Sequence, residues 1–291
     1  MLEKFTAKQI KTSGAKINVK IAGDGPPVLF LHGYPQTHMI WHKVAPELSN
    51  HYTVVLTDLR GYGDSSKPKS DIDHTVYSKR EMAFDQVEVM QNLGFKKFSV
   101  VGHDRGARVA HRMLIDYKQS VKKAVVMDIV PTLTMYEETD RDFAYNYYHW
   151  FFLTQPFDLP EKMIGSDPKY YLQKKIKSWG RKKDFITQEA FKEYLRCFSN
   201  PKTIHASCED YRASNSIDLL HDKYDYGTKT DIPLLVLWGR DAFVGSHYNV
   251  LEVWKKYANN VKGKSLPGGH YIPEEAPKET IKSIMNFLNE K

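Results

Sequence analysis

The stretch Phe98-Ser-Val-Val-Gly-His-Asp-Arg-Gly-Ala-Arg-Val-Ala-His-Arg112 constrains the fold of this chain more than any other. An apolar run ends in Gly102-His-Asp-Arg-Gly106, and a helical pattern begins at once. Glycines two residues before and two after Asp104 let the backbone pass from strand to helix without a Cβ in the way. Such a turn pushes its apex side chain out above the sheet, beside the N-terminus of the helix. The apex here is Asp104, a carboxylate that is ionised near neutral pH, since its reference pKa is about 3.9.

A turn of this kind needs a sheet around it. Residues 3–22 alternate loosely and end at Gly23-Asp-Gly-Pro-Pro27, which predicts two antiparallel strands. Val28-Leu-Phe-Leu31 and Thr53-Val-Val-Leu56 are apolar throughout, as strands covered on both faces are. A helical pattern through Trp41, Val44 and Leu48 separates them, and a second follows with Ala83, Val87, Met90 and Leu93 on one face before Gly94. After the helix that begins near Arg105, another buried strand is expected over Ala124–Val130. The rhythm then breaks. From Thr132 to Tyr226 the sequence is helical, aromatic and charged, and strands resume only at Pro233-Leu-Leu-Val-Leu-Trp-Gly239 and before Pro267-Gly-Gly-His270. A helix with Ile281, Ile284 and Leu288 on one face closes the chain. The alternation predicts an α/β fold, a mostly parallel sheet with helices on both faces. Its core comprises residues 1–131 and 227–291, with residues 132–226 inserted as a helical cap.

Composition removes several function classes. The net charge of +7 is scattered, and the one basic cluster, Lys174 to Lys183, is interrupted by Trp179 and Gly180. It reads as a solvated helix face, with no nucleic-acid module around it. A mild positive field instead suits encounter with a small anion. No apolar run is long enough to cross a bilayer, and the N-terminus lacks a secretion-signal pattern, so a cytoplasmic protein with no membrane partner is expected. Cys197 and Cys208 stand in no disulfide or metal-binding spacing. No metal and no cofactor are expected.

A carboxylate nucleophile can attack a saturated carbon directly and form an ester on the protein. Hydrolysis of that ester calls for a histidine that activates water and an acid that orients the imidazole. His270, in a Gly-Gly-His-Tyr turn, falls in the right chain order for the histidine. Two acids compete for the third role, Asp128 and Asp241, each after a predicted strand, and spacing does not decide between them. Ester hydrolysis passes through an oxyanion, for which the backbone N–H groups of Tyr34 and Arg105 are the expected donors. Arg105 and Arg108, one helical turn apart beside Asp104, form a fork suited to a substrate carboxylate, with pairing to acids in the cap as the plainer alternative.

These motifs together resemble a known family. His32-Gly-Tyr-Pro-Gln-Thr37, Asp58-Leu-Arg-Gly-Tyr-Gly-Asp-Ser65, Gly102-His-Asp-Arg-Gly-Ala-Arg108, Asp128-Ile-Val-Pro-Thr132, His149-Trp150 and Gly269-His270 make the chain similar to the fluoroacetate dehalogenases of the α/β-hydrolase superfamily over essentially its whole length. The first two motifs are shared with many epoxide hydrolases, whereas the arginine pair and the His-Trp pair in the cap are far more specific. The resemblance implies Asp104 as nucleophile, His270 as base and Asp128 as its partner. It further implies Arg105 and Arg108 as carboxylate ligands, and His149, Trp150 and Tyr211 as the cradle of the departing halide. The implied partner is a small haloacid, hydrolysed without a cofactor, and similar proteins are commonly homodimers. An epoxide hydrolase with the same nucleophile is the nearest rival, though an uncharged epoxide gives two arginines no task. A non-catalytic anion receptor on the same fold is the second, against which stands the intact set of nucleophile, base and acid.

Overall fold

The computed structural model describes residues 1–290. Eight strands form one sheet: β1 (Thr6–Lys11), β2 (Lys16–Ala22), β3 (Pro27–Leu31), β4 (Thr53–Thr57), β5 (Phe98–His103), β6 (Val121–Met127), β7 (Leu234–Gly239) and β8 (Val261–Leu266). Their order is β1-β2-β4-β3-β5-β6-β7-β8. β1 and β2 pair antiparallel, β2 runs antiparallel to β4, and every later pairing is parallel.

The continuous apolar runs are explained by which way their side chains point. Val28 and Phe30 of β3 join one core layer with Val54, Leu56, Val101, Val125, Leu235 and the closing helix residues Ile284 and Phe287. Leu29 and Leu31 alternate into the other layer, against Val100, Val126, Val236 and the helix residues Ala107 and Val109. Helices α1 (Lys79–Asn92) and α2 (Arg105–Asp116) cover that second face. Both faces of the central strands are therefore covered, as their continuous apolar runs predict, while β1 and β8 at the two edges stay largely exposed.

Between β6 and β7 the described residues form eight helices and no strand. Two of them matter for the site, α3 (Pro168–Trp179) and α4 (Pro201–Ser214), together with the single helical turn His149–Phe152. Among the described residues no helix is long and apolar enough to cross a membrane.

Two expectations shift. The pattern through Trp41, Val44 and Leu48 is not one helix but a 3₁₀ turn, His38–Trp41, and an α turn, Ala45–Leu48. Pro46 lacks the N–H that a continuous helix would donate backwards, so the chain restarts there. The strand expected over Ala124–Val130 runs instead over Val121–Met127. Asp128 leaves the ladder with φ of 53°, a left-handed conformation no strand residue adopts.

Candidate active site

The parallel register brings the predicted residues to one edge. Leu31 pairs with Gly102, His103 with Met127, and Met127 with Leu237. The segments that follow these strands, from His32, Asp104, Asp128 and Gly239, thus emerge side by side at the carboxyl end of the sheet, where α/β folds place their crevice. Asp104 sits at the turn with φ of 48° and ψ of −117°, outside the favoured regions for a non-glycine residue. Close approach accounts for two glycines around it. A Cβ on Gly106 would lie 2.4 Å from the His32 carbonyl oxygen, and one on Gly33 would lie 2.4 Å from the Cβ of Asp104.

The Asp104 side chain is held rather than free. Its Oδ1 accepts a 2.8 Å hydrogen bond from the Tyr34 backbone N–H, and its Oδ2 lies 3.9 Å from His270 Nε2. Burial would raise its pKa, but the positive field of His270, His103, Arg105 and Arg108 outweighs that and holds the carboxyl below its usual range. Asp104 is therefore a buried, ionised carboxylate with one oxygen turned towards an imidazole.

Asp128, not Asp241, meets that imidazole. Its Oδ2 lies 2.6 Å from His270 Nδ1, while its Oδ1 accepts the Gly239 N–H at 2.9 Å. Asp241 is exposed, and its backbone carbonyl accepts from the Arg181 guanidinium. The left-handed φ at Asp128 is what turns this carboxylate off the strand and across to residue 270.

His270 is buried, and its Nε2 has no hydrogen-bond partner. Burial alone would depress its pKa, but the carboxylate of Asp128 first, and that of Asp104 after it, raise it above the ordinary imidazole value. Because one of these carboxylates can be removed without touching the ring, a titration by NMR tests the cause. Asp104→Asn is expected to move the His270 titration to lower pH than in the wild type. An unchanged midpoint would mean that Asp104 exerts no field there.

The two arginines differ in their surroundings. Arg105 donates from Nε and Nη2 to the carboxylate of Asp210, at 2.9 and 2.6 Å, and both side chains are fully buried. Asp210 also accepts from Tyr62 Oη at 2.6 Å and pairs with Lys79. Arg108 meets no carboxylate. Its Nη1 donates to the Val130 carbonyl and Thr132 Oγ1, both at 3.0 Å, and its Nη2 lies 2.9 Å from Met135 Sδ. Each guanidinium lies over an aromatic ring, Arg105 over Tyr211 at 4.2 Å and Arg108 over Trp150 at 4.6 Å. The plainer alternative describes Arg105, which pairs with Asp210, an acid of the inserted helices, and keeps only Nη1 unpartnered.

His149, Trp150 and Tyr211 close the site from the cap, all buried. Tyr211 lies 5.5 Å from the His149 ring and 6.1 Å from that of Trp150, and Tyr34 stacks on His149 at 6.3 Å. Burial, then the charges of Lys175 and Arg105, hold His149 neutral, well below its usual pKa. Arg105 Nη1, Arg108 Nε, His149 Nδ1, Tyr211 Oη and His270 Nε2 are all buried without a partner. Buried polar groups normally find a partner, and these side chains, on elements that meet at the carboxyl end of the sheet, keep polar capacity that a ligand can use.

Sequence reasoning missed two residues that hold this arrangement. Asp210 is one, although a cation buried beside the apex had to find a countercharge. Glu275 is the other. Its carboxylate accepts the N–H groups of Gly269 at 3.0 Å and Tyr271 at 3.1 Å, on either side of His270, and those of Arg181 at 2.9 Å and Lys182 at 3.1 Å from the cap. The His270 N–H itself donates to the carbonyl of Trp179 at 3.1 Å. Glu275 follows His270 in a His-Tyr-Ile-Pro-Glu-Glu run, and nothing in spacing alone marks it as a clamp.

Comparison with known proteins agrees with this architecture. A family model of the alpha/beta hydrolase fold matches residues 26–277. Over its full length the chain is 43% identical to a fluoroacetate dehalogenase from Burkholderia sp, covering 96% of that protein. It is 31% identical, over 99% of both chains, to a soluble epoxide hydrolase from Corynebacterium sp. (strain C12). A crystal structure of an alpha/beta hydrolase-type protein from Nostoc sp PCC 7120 superposes with a TM-score of 0.99 at 55% identity, each chain covered in full. With its sheet order, its aspartate-bearing turn and its inserted cap, the chain belongs to the alpha/beta hydrolase family.

Proposed function

We propose that this protein hydrolyses the carbon–halogen bond of haloacetates, fluoroacetate and chloroacetate among them, to glycolate and halide. The observation that carries the reading is the buried carboxylate Asp104, held below its usual pKa by a field that includes Arg105 and Arg108, with unpartnered polar atoms on Arg105, Arg108, His149 and Tyr211. A ligand that is negative at one end and carries an electronegative leaving atom at the other uses all of them. The similarity to a fluoroacetate dehalogenase supports the same substrate class.

The chemistry runs in two steps. Asp104 Oδ2 attacks the halogen-bearing carbon, the carbon–halogen bond breaks, and halide leaves towards His149, Trp150 and Tyr211. These donors act on charge that appears only as the bond breaks, so they lower the barrier rather than merely bind substrate. Water then attacks the Asp104 carbonyl carbon, passing a proton to His270 Nε2, while the Tyr34 and Arg105 N–H groups receive the oxyanion. Collapse of that intermediate breaks the bond between the Asp104 carbon and the ester oxygen, His270 returns its proton to the departing glycolate oxygen, and Asp104 gives up the remaining acid proton to solvent. Esterification removes the negative charge of Asp104, one of the three, with Asp128 and Glu275, that raise the imidazole pKa. The first step therefore frees the base that the second step needs.

Arg108 supplies the charge for the substrate carboxylate, because Arg105 is already compensated by Asp210. Arg108→Met is expected to lower kcat/KM for chloroacetate by roughly 100-fold or more, the scale of losing the partner of a buried charge. Arg105→Met should in addition lower the melting temperature, since it strips Asp210 of a cation. Equal kcat/KM in Arg108→Met and wild type would refute the assignment.

Release of fluoride and chloride from the two haloacetates, measured beside ring opening of a styrene-oxide-type epoxide, tests the function itself. Epoxide opening without halide release would favour the second reading, an epoxide hydrolase, which the Corynebacterium relative represents. A second copy of the chain is the expected partner, covering cap side chains such as Phe157, Leu159 and Met163 that stand exposed.

A further inference from the structure

Lys175, on α3, is only 2% exposed, and its ammonium nitrogen has no hydrogen-bond partner. The contrast with Lys79, similarly buried, is sharp, for Lys79 is set between the carboxylates of Asp210 and Asp218. What faces Lys175 is aromatic. Its Nζ lies 4.1 Å from the ring centre of Tyr148, which precedes the His149 turn, and 4.5 Å from that of Trp179 on its own helix. Ring faces offset only part of the cost of burying a cation. Two titratable groups stand near it, the Tyr148 phenol, raised by burial, and His149, neutral and with Nδ1 unpartnered.

Lys175 also stands at a boundary. The Trp179 ring that it touches lies 4.6 Å from the ring of His149 and 5.0 Å from that of His270. Tyr148 and Trp179 line a cleft of about 350 Å³ that reaches His270. The unpaired ammonium thus stands behind Tyr148 and Trp179, two rings of the cleft lining, and Trp179 also touches His149.

From this geometry we infer that Lys175 forms a second anion site, which takes a small monovalent anion, either departing halide or incoming carboxylate, between the cleft and His149. The inference rests on the proposed dehalogenase reading only for which anion passes, since binding needs no turnover. Burial pushes the ammonium down to about 7, so occupancy falls as pH rises through that value.

Bromide is the probe. Crystals soaked in sodium bromide one pH unit below that value are expected to carry an anomalous peak within hydrogen-bonding distance of Lys175 Nζ. The peak should weaken one unit above, persist in Lys175→Arg and vanish in Lys175→Met. Absence of the peak at the lower pH, or its survival in Lys175→Met, overturns the site. Lys175→Met should melt no lower than wild type, because an unpaired buried charge stabilises nothing. Should that variant not fold, the pH dependence of the wild-type peak still decides. In turnover, Lys175→Met should weaken inhibition by bromide about tenfold if the site serves halide, or inhibition by acetate if it serves the carboxylate, the scale of one charge-assisted hydrogen bond. Inhibition by both anions left unchanged also overturns the site. A wild-type protein that releases no halide would refute the dehalogenase reading, while the bromide peak would stand on its own.

Discussion

His270→Ala is expected to release about one halide per chain from chloroacetate and then stop. On the proposed reading displacement uses no base, and Arg105 and Arg108 still favour the ionised form of Asp104, whereas hydrolysis calls for a proton acceptor where Nε2 stands, 3.9 Å from Asp104. Steady turnover should fall by about 10⁴-fold or more, the scale on which members of such catalytic sets act. The stalled protein should carry one carboxymethyl group, which mass spectrometry of its peptides would locate on Asp104. Sustained release by His270→Ala, or a modified protein without the adduct at Asp104, would refute the ester route. A single turnover of wild type in labelled water offers a second view. The first product should carry an oxygen from Asp104, and solvent label in that product would exclude the ester.

Exchanging the two candidate acids should give opposite results. Asp128→Asn removes the carboxylate 2.6 Å from His270 Nδ1 and leaves an amide that can present its N–H there, favouring the wrong tautomer. A loss of about 10⁴-fold in turnover is expected, concentrated in ester hydrolysis, so halide should appear as a burst. Asp241→Asn alters an exposed side chain and should change turnover by less than about twofold. The reverse pattern would move the acid to Asp241. Asp128→Asn should also bring the His270 titration down further than Asp104→Asn does, since Asp128 exerts the larger influence on the ring.

The fold and the meeting of Asp104, Asp128 and His270 were legible in the sequence because they are tied to backbone devices. The turn at Asp104 was written in its glycines, and the sheet in runs such as Val28–Leu31 that are apolar on both faces. The choice between Asp128 and Asp241 was not legible from spacing, since both follow a strand. It depends on a left-handed φ at residue 128 and on the Gly239 N–H that steadies the carboxylate, features of tertiary structure. Asp210 escaped for the related reason that its partner is 105 positions away in the chain. The unpaired state of Lys175 could not be read at all, because a lysine in a basic run looks solvated until a fold buries it.

The clamp at Glu275 has a consequence for protein engineering. This carboxylate binds amides on both sides of His270 and two amides just beyond α3, and His270 donates its own backbone N–H to the Trp179 carbonyl. A chimera that exchanges residues 132–226 for those of a relative therefore replaces part of the mounting of His270. Recombination joints that carry Trp179–Lys182 along with the stretch from Gly268 to Glu275, from the same parent, should preserve turnover. Joints that split them should yield proteins that fold and form the ester but hydrolyse it slowly, so a substrate screen of such hybrids would report misplacement of the base as a change in specificity.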